Sequence, residues 1–181
     1  MVIDFEERPI GQSYSTVAAK VRCDNPATPA SEVIEERDKS AQLTTTALAD
    51  LERHLFGRRY ADVVARIRGH DGRLARALNL LETEYWRWDL SVPDLARAAC
   101  LSGSVFRALL PRLSGYSPRR FIVRYRLMRA ANLLYTANTT ITRIASDSGF
   151  GDIGRLEKCF KEVVGMSPRQ FRKTRTGLKI R

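Results

Sequence analysis

The side chains best suited to chemistry in this sequence are cations, and most of them lie in its C-terminal part. The 181 residues include 31 Lys and Arg against 20 Asp and Glu, a net charge of +11. Residues 73–181 carry 21 basic and 8 acidic side chains, whereas residues 1–72 carry 10 basic and 12 acidic ones. Cationic side chains that pair with phosphates release the counterions of a polyanion. The charge distribution therefore favours a nucleic-acid partner for the C-terminal part.

Few residues are candidates for other chemistry. The three cysteines, Cys23, Cys100 and Cys159, are far apart and form no CxxC pair. The two histidines, His54 and His70, have no cysteine nearby in sequence. This pattern predicts neither a disulfide framework nor a metal site, and we expect no cofactor. The sequence also lacks a P-loop and the GxSxG, HExxH and GxGxxG motifs, so no catalytic residue is expected and the protein is not expected to be an enzyme.

The N-terminus gives no targeting signal. It reads Met-Val-Ile-Asp-Phe-Glu-Glu, without a basic region or an apolar run. No stretch approaches the roughly 20 apolar residues of a membrane helix. We therefore expect a cytoplasmic protein that does not bind membranes.

Two stretches of the C-terminal part share one pattern and are expected to position the cations. The matching segments are 95–96 with 144–145 and 100–101 with 149–150, both at an offset of 49, and 115–121 with 165–171 at an offset of 50. A short helix with a central alanine, a turn and a second helix is the helix-turn-helix pattern. The repeat predicts two such units in tandem, at about residues 91–113 and 140–163.

The segment between the two units has the pattern of one long helix. Residues 118–136 contain no glycine and no proline after Pro118, and Phe121, Tyr125 and Met128 fall at helical spacing. A helix of this length spans about 28 Å. Successive major grooves on one face of DNA are separated by about 34 Å. The spacing allows one chain to read two adjacent major grooves.

The second unit carries the most specific motifs. Residues 144–161 contain an Ala-x-x-x-Gly-Phe turn and end in Lys-x-Phe-Lys, and a Gly-x-Ser-Pro tail begins at Gly165. With these motifs, residues 73–175 resemble the DNA-binding domain of the AraC/XylS transcriptional regulators. The resemblance implies seven helices in this domain, promoter-specific control, activation of transcription, and double-stranded DNA and RNA polymerase as partners.

The expected fold is all-α, with two helix-turn-helix units joined by a linker helix at about 118–136. We expect a DNA-binding domain at 70–181, preceded at 1–69 by a short segment that is weakly structured or helical. Apolar residues at helical spacing in 48–56 and 60–67 predict two short helices there. These helices could bind a protein partner, form a dimer, or pack against the domain that follows.

The helix-turn-helix geometry predicts which side chains meet DNA, because the first turns of the second helix face the base edges. The expected base-reading residues are Ser104, Arg107, Ile153, Gly154, Arg155 and Lys158, with Gly103, Ala108, Asp152 and Glu157 on the same faces. The cations expected to bind phosphates are Arg112, Arg119, Arg120, Arg124, Lys161 and Arg169.

Two residues distinguish the first unit from the second. Cys100 stands where the second unit has Gly149, and a left-handed residue with a Cβ costs about 1–2 kcal/mol. Pro111 removes an N–H late in the second helix, which we expect to end or kink near Leu110. We therefore expect the second unit to dominate sequence specificity, or the first unit to read DNA shape.

The expected function is sequence-specific DNA binding that regulates transcription, with the protein on the nucleoid when bound. The alternative is a degenerate member of the same family that acts as an adaptor or co-regulator through residues 1–69. Sequence-specific DNA binding distinguishes the two.

Overall fold

The structure, a computed structural model, describes residues 46–174, and this part of the chain is all-α, as expected. Its nine helices are α1 (46–56), α2 (Tyr60–His70), α3 (Gly72–Glu84), α4 (Val92–Ala98), α5 (Gly103–Ser114), α6 (Pro118–Thr136), α7 (Ile141–Asp147), α8 (Ile153–Val164) and α9 (Pro168–Thr174). Cys23 and the expected weakly structured segment before residue 46 lie outside the described residues.

The first two helices pack onto the rest of the domain. Their buried apolar side chains are Leu51, Leu55, Phe56, Val63, Val64 and Ile67. The Phe56 ring lies 5.8 Å from the Phe121 ring of α6, and the Tyr60 ring lies 5.2 Å from the Tyr125 ring. These side chains belong to the same hydrophobic core as those of α3 to α9. The apolar faces of α1 and α2 are thus covered by the chain itself, and the boundary expected between residues 69 and 70 passes through a continuous core.

The first helix-turn-helix unit consists of α4 and α5. At the start of α4, the Asp94 carboxylate accepts hydrogen bonds from the N–H (3.0 Å) and the hydroxyl (2.6 Å) of Ser91. At the start of α5, the Ser102 hydroxyl accepts from the N–H of Val105 at 3.3 Å. Such caps satisfy backbone donors that a helix leaves unpaired at its N-terminus, so both helices begin where the sequence supplies a serine.

The turn between α4 and α5 and the turn between α7 and α8 have the same hydrogen bonds. They run from Leu101 N to Ala96 O (3.0 Å) and Cys100 N to Arg97 O (2.9 Å) in the first turn, and from Phe150 N to Ala145 O (2.9 Å) and Gly149 N to Ser146 O (3.0 Å) in the second. This is the Schellman pattern, which places one residue in the left-handed region. That residue is Cys100 (φ 53°) in the first turn and Gly149 (φ 80°) in the second. Cys100 therefore has the left-handed conformation whose cost the comparison with Gly149 raised.

Helix α5 continues past Pro111 and ends at Ser114, so an end near Leu110 is wrong, and the kink expected there as the alternative stays a prediction. Pro111 lies in the last turn, where its missing N–H removes only the bond to the Arg107 carbonyl. The residues around it still hold this turn, because the N–H of Gly115 donates to the Pro111 carbonyl (2.8 Å) and the Ser114 hydroxyl donates to the Leu110 carbonyl (2.9 Å).

Helix α6 has the bounds expected for the linker helix and lies at the centre of the fold. It packs against α5 on the side of the first unit and against α7, α8 and α9 on the side of the second. Its buried apolar residues are Pro118, Phe121, Ile122, Tyr125, Leu127, Ala130, Ala131, Leu134 and Tyr135. The helix that joins the two units is therefore also their shared core.

The second unit consists of α7 and α8 and is closed by α9. The Thr140 hydroxyl caps α7, and the Asp152 carboxylate caps α8 by accepting from the N–H of Arg155 at 2.8 Å. The Phe171 ring of α9 lies 5.2 Å from the Phe160 ring of α8 and 5.1 Å from the Tyr135 ring of α6. These ring contacts fix α8 against the central helix.

Candidate nucleic-acid interface

The second helix of each unit presents a polar face outward and an apolar face inward. On α5, Ser104 and Arg107 are exposed while Phe106 and Leu110 are buried. On α8, Gly154, Arg155 and Lys158 are exposed while Leu156 and Phe160 are buried. Each unit therefore leaves one side of its second helix free to contact a ligand.

The first two turns of α5 carry a single exposed cation, Arg107. Arg107 lies one turn after Gly103, and a Cβ on Gly103 would lie 3.4 Å from the Nη1 atom of Arg107. The absence of a side chain at Gly103 thus gives the Arg107 guanidinium room beside the start of the helix. Ser104 supplies the neighbouring hydroxyl, which lies 3.1 Å from the Ser102 hydroxyl. Beside them, the exposed Ala108 has no hydrogen-bonding side-chain group.

The first two turns of α8 carry two exposed cations three residues apart, Arg155 and Lys158. Arg155 and Lys158 are neighbours on the helix surface at this spacing. A Cβ on Gly154 would lie 3.3 Å from Oδ1 of Asp152, so the first turn of α8 is tightly built around its cap. The face therefore combines bare backbone at Gly154 with two side chains that can donate to base edges.

Five of the six cations expected to bind phosphates are exposed. They are Arg112, Arg119, Arg120, Lys161 and Arg169, and none of them forms an ion pair with another residue of the 46–174 range.

Arg124, the sixth expected phosphate ligand, is bound to groups of the protein itself. Its Nη1 donates to the Leu55 carbonyl at 2.6 Å, and its guanidinium lies 4.3 Å from the centre of the Tyr116 ring. The group is half-buried between α1, α6 and the loop after α5. We therefore do not include Arg124 among the phosphate ligands proposed below.

A groove between α7, α8 and α9 brings a predicted base reader next to a predicted phosphate ligand. It is lined by Thr140, Ile141, Thr142, Ile153, Arg169, Arg172 and Lys173. In Arg172, the buried Nε and Nη2 atoms have no hydrogen-bond partner among the described residues. An unpaired buried donor costs about 1–3 kcal/mol, and an anionic oxygen in the groove would remove that cost.

Sequence reasoning missed Arg172. The available signal was its spacing of three residues from Arg169, which places both guanidinium groups on one face of α9.

The residues considered for other chemistry do not come together. In residues 46–174, no three His, Cys, Asp or Glu side chains form a group that could hold a metal ion. Burial raises the pKa of the half-buried Cys159 thiol on α8, which disfavours its reactive thiolate. His54 instead connects two helices, because its Nε2 lies 2.6 Å from the Val163 carbonyl and must carry the proton in this bond. None of the described helices combines the length and apolar character of a membrane span.

Known proteins are similar to this chain. Residues 95–174 match a family model described as a helix-turn-helix domain. The HTH-type transcriptional activator RhaS of Enterobacter sp. strain 638 is 28% identical over 144 residues, which cover 80% of this chain and 51% of RhaS. An AraC-like transcription regulator of Streptomyces lividans is 36% identical over 101 residues, which cover 55% of this chain and 33% of that protein.

A solved structure similar to this chain contains DNA. The crystal structure of the DNA-binding domain of AdpA, a global transcriptional factor, in complex with a target DNA has a TM-score of 0.53 and 26% sequence identity. The match covers 56% of this chain and 90% of that domain. The chain spans about half or less of the length of the two curated relatives. Residues 95–174 therefore form a helix-turn-helix domain, and the chain is similar to AraC-type transcriptional regulators over part of their length.

Proposed function

We propose that this chain is a sequence-specific DNA-binding regulator that reads two adjacent major grooves, with α5 in one and α8 in the other. The observation that carries the proposal is the placement of two matching units on one central helix, each with an exposed polar face on its second helix. The 19 residues of α6 correspond to about 28 Å, close to the roughly 34 Å of one DNA turn. The expected site is asymmetric, because one chain supplies both readers.

The exposed side chains divide into two roles. Arg107, Arg155 and Lys158 read bases, since arginine and lysine pair with the O6 and N7 atoms of guanine. Ser104, Ile153 and Gly154 complete the two reading faces. The groove beside α9 takes a DNA phosphate on Arg169 and Arg172, and the other proposed phosphate ligands are Arg112, Arg119, Arg120 and Lys161.

We propose that the second unit contributes more to sequence specificity than the first. Its reading helix carries Arg155 and Lys158 on one exposed face, whereas Arg107 has only Ser104 as a polar neighbour. Each good contact between a cation and guanine discriminates by about 1–3 kcal/mol. A face with two cations therefore has the larger capacity to discriminate.

The proposed action is activation of transcription in the bacterial cytoplasm, on the nucleoid and in contact with RNA polymerase. The activator name of RhaS supports this direction. The adaptor alternative has less support, since the apolar faces of α1 and α2 are buried in the chain's own core.

Binding-site selection from random DNA tests the proposal, using the full chain and the variants Lys158→Ala and Arg107→Ala. We expect wild-type protein to enrich one asymmetric sequence and Lys158→Ala to lose its preference at one position, at a cost of about 1–3 kcal/mol. Arg107→Ala should change the preference less. Arg66→Ala is the charge-matched control, because Arg66 is exposed on α2 and belongs to neither reading helix.

Two results would contradict the proposal. Failure of wild-type protein to enrich any sequence would refute sequence-specific binding and favour the adaptor. An unchanged consensus for Lys158→Ala beside a degraded one for Arg107→Ala would reverse the ranking of the two units.

A further inference from the structure

The loop between α3 and α4 accepts hydrogen bonds from a buried arginine of the central helix. Arg126 is only 4% exposed. Its Nε donates to the Tyr85 carbonyl at 3.0 Å, and its Nη2 donates to the Arg87 carbonyl. Both acceptors belong to the loop at residues 85–90, which leads directly into the Ser91 cap of the first unit. Arg126 therefore fixes the path of the chain as it enters that unit.

The same loop touches the turn of the second unit. A Cβ on Gly149 would lie 2.0 Å from the Tyr85 carbonyl oxygen and 2.8 Å from Nε of Arg126. A Cβ on Gly151 would lie 3.6 Å from the Cβ of Trp88. The loop is thus enclosed between α6 and the turn that leads into α8, and the carbonyl that Arg126 holds is the one against which Gly149 packs.

Burial of the charged Arg126 guanidinium costs desolvation free energy. Burial lowers its pKa to about 10, and the nearby positive charge of Arg155 acts in the same direction. The acceptors of its hydrogen bonds from Nε and Nη2 are backbone carbonyls, and Asp89 adds a weaker attraction. Buried charges are expensive unless they are well hydrogen-bonded, and the bonds made here connect the loop to α6.

We propose that Arg126 is a positioning residue that fixes the second helix-turn-helix unit relative to the first, and thereby sets the base-pair spacing between the two half-sites that the chain accepts. This inference rests on the proposed reading of two grooves. One added base pair moves a half-site by about 3.4 Å along DNA and turns it by about 34°. With the loop held, α8 cannot follow that displacement while α5 stays in its groove.

The effect expected on binding follows from linking two binding elements. Simultaneous engagement of two linked elements raises affinity by about 10²–10⁴, and the gain is lost when the geometry forbids both contacts. Wild-type protein should therefore lose about 100-fold in affinity when one base pair is inserted between the half-sites. A variant without the Arg126 bonds should bind the original site more weakly but lose only about tenfold on the same insertion, because its second unit can move.

The test uses the full chain, the variants Arg126→Met and Arg126→Lys, and the control Arg124→Met. Arg124 lies on the same helix and also donates to a backbone carbonyl, but that carbonyl belongs to Leu55 of α1 and not to the loop. Each protein is titrated against the selected site, against the site with one or two base pairs inserted or removed, and against each half-site alone. We expect Arg126→Met to flatten the spacing profile while its affinity for each isolated half-site stays within about twofold of wild type, and Arg124→Met to keep the wild-type profile.

A second measurement reports on the loop without DNA. The two tryptophans of the chain, Trp86 and Trp88, both lie in this loop. Their fluorescence anisotropy should fall in Arg126→Met, because the loop gains motion, and stay unchanged in Arg124→Met. If Arg126→Met does not fold, Arg126→Lys keeps the charge with fewer donors and should show intermediate values of both quantities.

The outcomes separate this inference from the proposed function. If selection yields two half-sites but the Arg126 variants keep the wild-type spacing profile, the positioning role alone is overturned. Equal losses on every spacing and on both isolated half-sites would also overturn it, since a purely structural role predicts that result. Wild-type sites that contain only one half-site would overturn both the two-groove reading and the positioning role.

Discussion

Replacing Cys100 by glycine should stabilise the protein. Cys100 occupies the left-handed position of the first Schellman turn with φ 53°, and it is exposed to solvent. The hydrogen bonds on either side of it match those around Gly149 in the second turn. Glycine at this position keeps every bond of the turn and removes the contact between Cβ and the following carbonyl.

The magnitude follows from two opposing effects. The Cβ in the left-handed region costs about 1–2 kcal/mol. Glycine loses more backbone entropy on folding than a residue with a side chain, by about 0.5–1 kcal/mol. The net stabilisation is about 0.5–1 kcal/mol, which corresponds to a Tm higher by about 2–5 °C for a domain of this size.

Thermal unfolding followed by far-ultraviolet circular dichroism in the presence of a reductant measures this difference. Cys100→Ala is the matched control, because it removes the thiol but keeps the Cβ, and its Tm should stay near that of wild type. Gly149→Ala tests the other turn and should be strongly destabilising, since its Cβ would lie 2.0 Å from the Tyr85 carbonyl. A Tm for Cys100→Gly that equals or falls below that of Cys100→Ala would refute the reasoning.

Three further predictions concern the whole domain. If the protein contacts six to ten DNA phosphates, its affinity for DNA should fall by roughly 10³–10⁵ between 50 and 200 mM salt. An affinity that hardly changes with salt in filter-binding titrations would contradict the proposed interface. A fragment of residues 70–181 should lose the cooperative thermal transition that a fragment of residues 46–181 retains. The reason is that Phe121 and Tyr125 lose their ring contacts with Phe56 and Tyr60. Equal transitions in the two fragments would show that the core forms without α1 and α2. Asp94→Ala should lower the free energy of unfolding at pH 7 by about 0.5–2 kcal/mol, since the carboxylate caps α4. Hydrogen bonds from Ser91 hold the pKa of Asp94 below its ordinary value. The Asp94 carboxylate therefore stabilises the fold at a pH above its unfolded pKa. In urea titrations below about pH 4, the difference in the free energy of unfolding between Asp94→Ala and wild type should shrink.

The local features of this fold could be predicted from the sequence. The repeated Ala and the matched turn residues located both helix-turn-helix units, and the uninterrupted segment after Pro118 gave the bounds of α6. Cys100 could be placed in the left-handed region because its counterpart in the repeat is Gly149. In each case, the signal depends on residues close together in the chain, where periodicity and backbone preferences act.

The contacts between distant segments could not be predicted in the same way. Arg120, Arg124 and Arg126 look alike in sequence, yet the first is exposed, the second bonds to Leu55 and the third is buried beneath the loop at 85–90. Burial of an arginine depends on which backbone carbonyls the fold brings within its reach, and that information is not local. The apolar faces of α1 and α2 were visible as patterns, but periodicity shows only that a face is buried and not what covers it.

The central position of α6 limits how far the two units can be treated as separate modules. Leu127, Ala130 and Ala131 are completely buried in the middle of a helix that contacts α5 and also α7, α8 and α9. Neither unit has a hydrophobic core of its own, because both share the buried residues of α6. The two units should therefore unfold together in one transition. A chimaera that exchanges one unit for that of a relative must also inherit the matching side of α6, and recombination at the ends of this helix alone would join two mismatched halves.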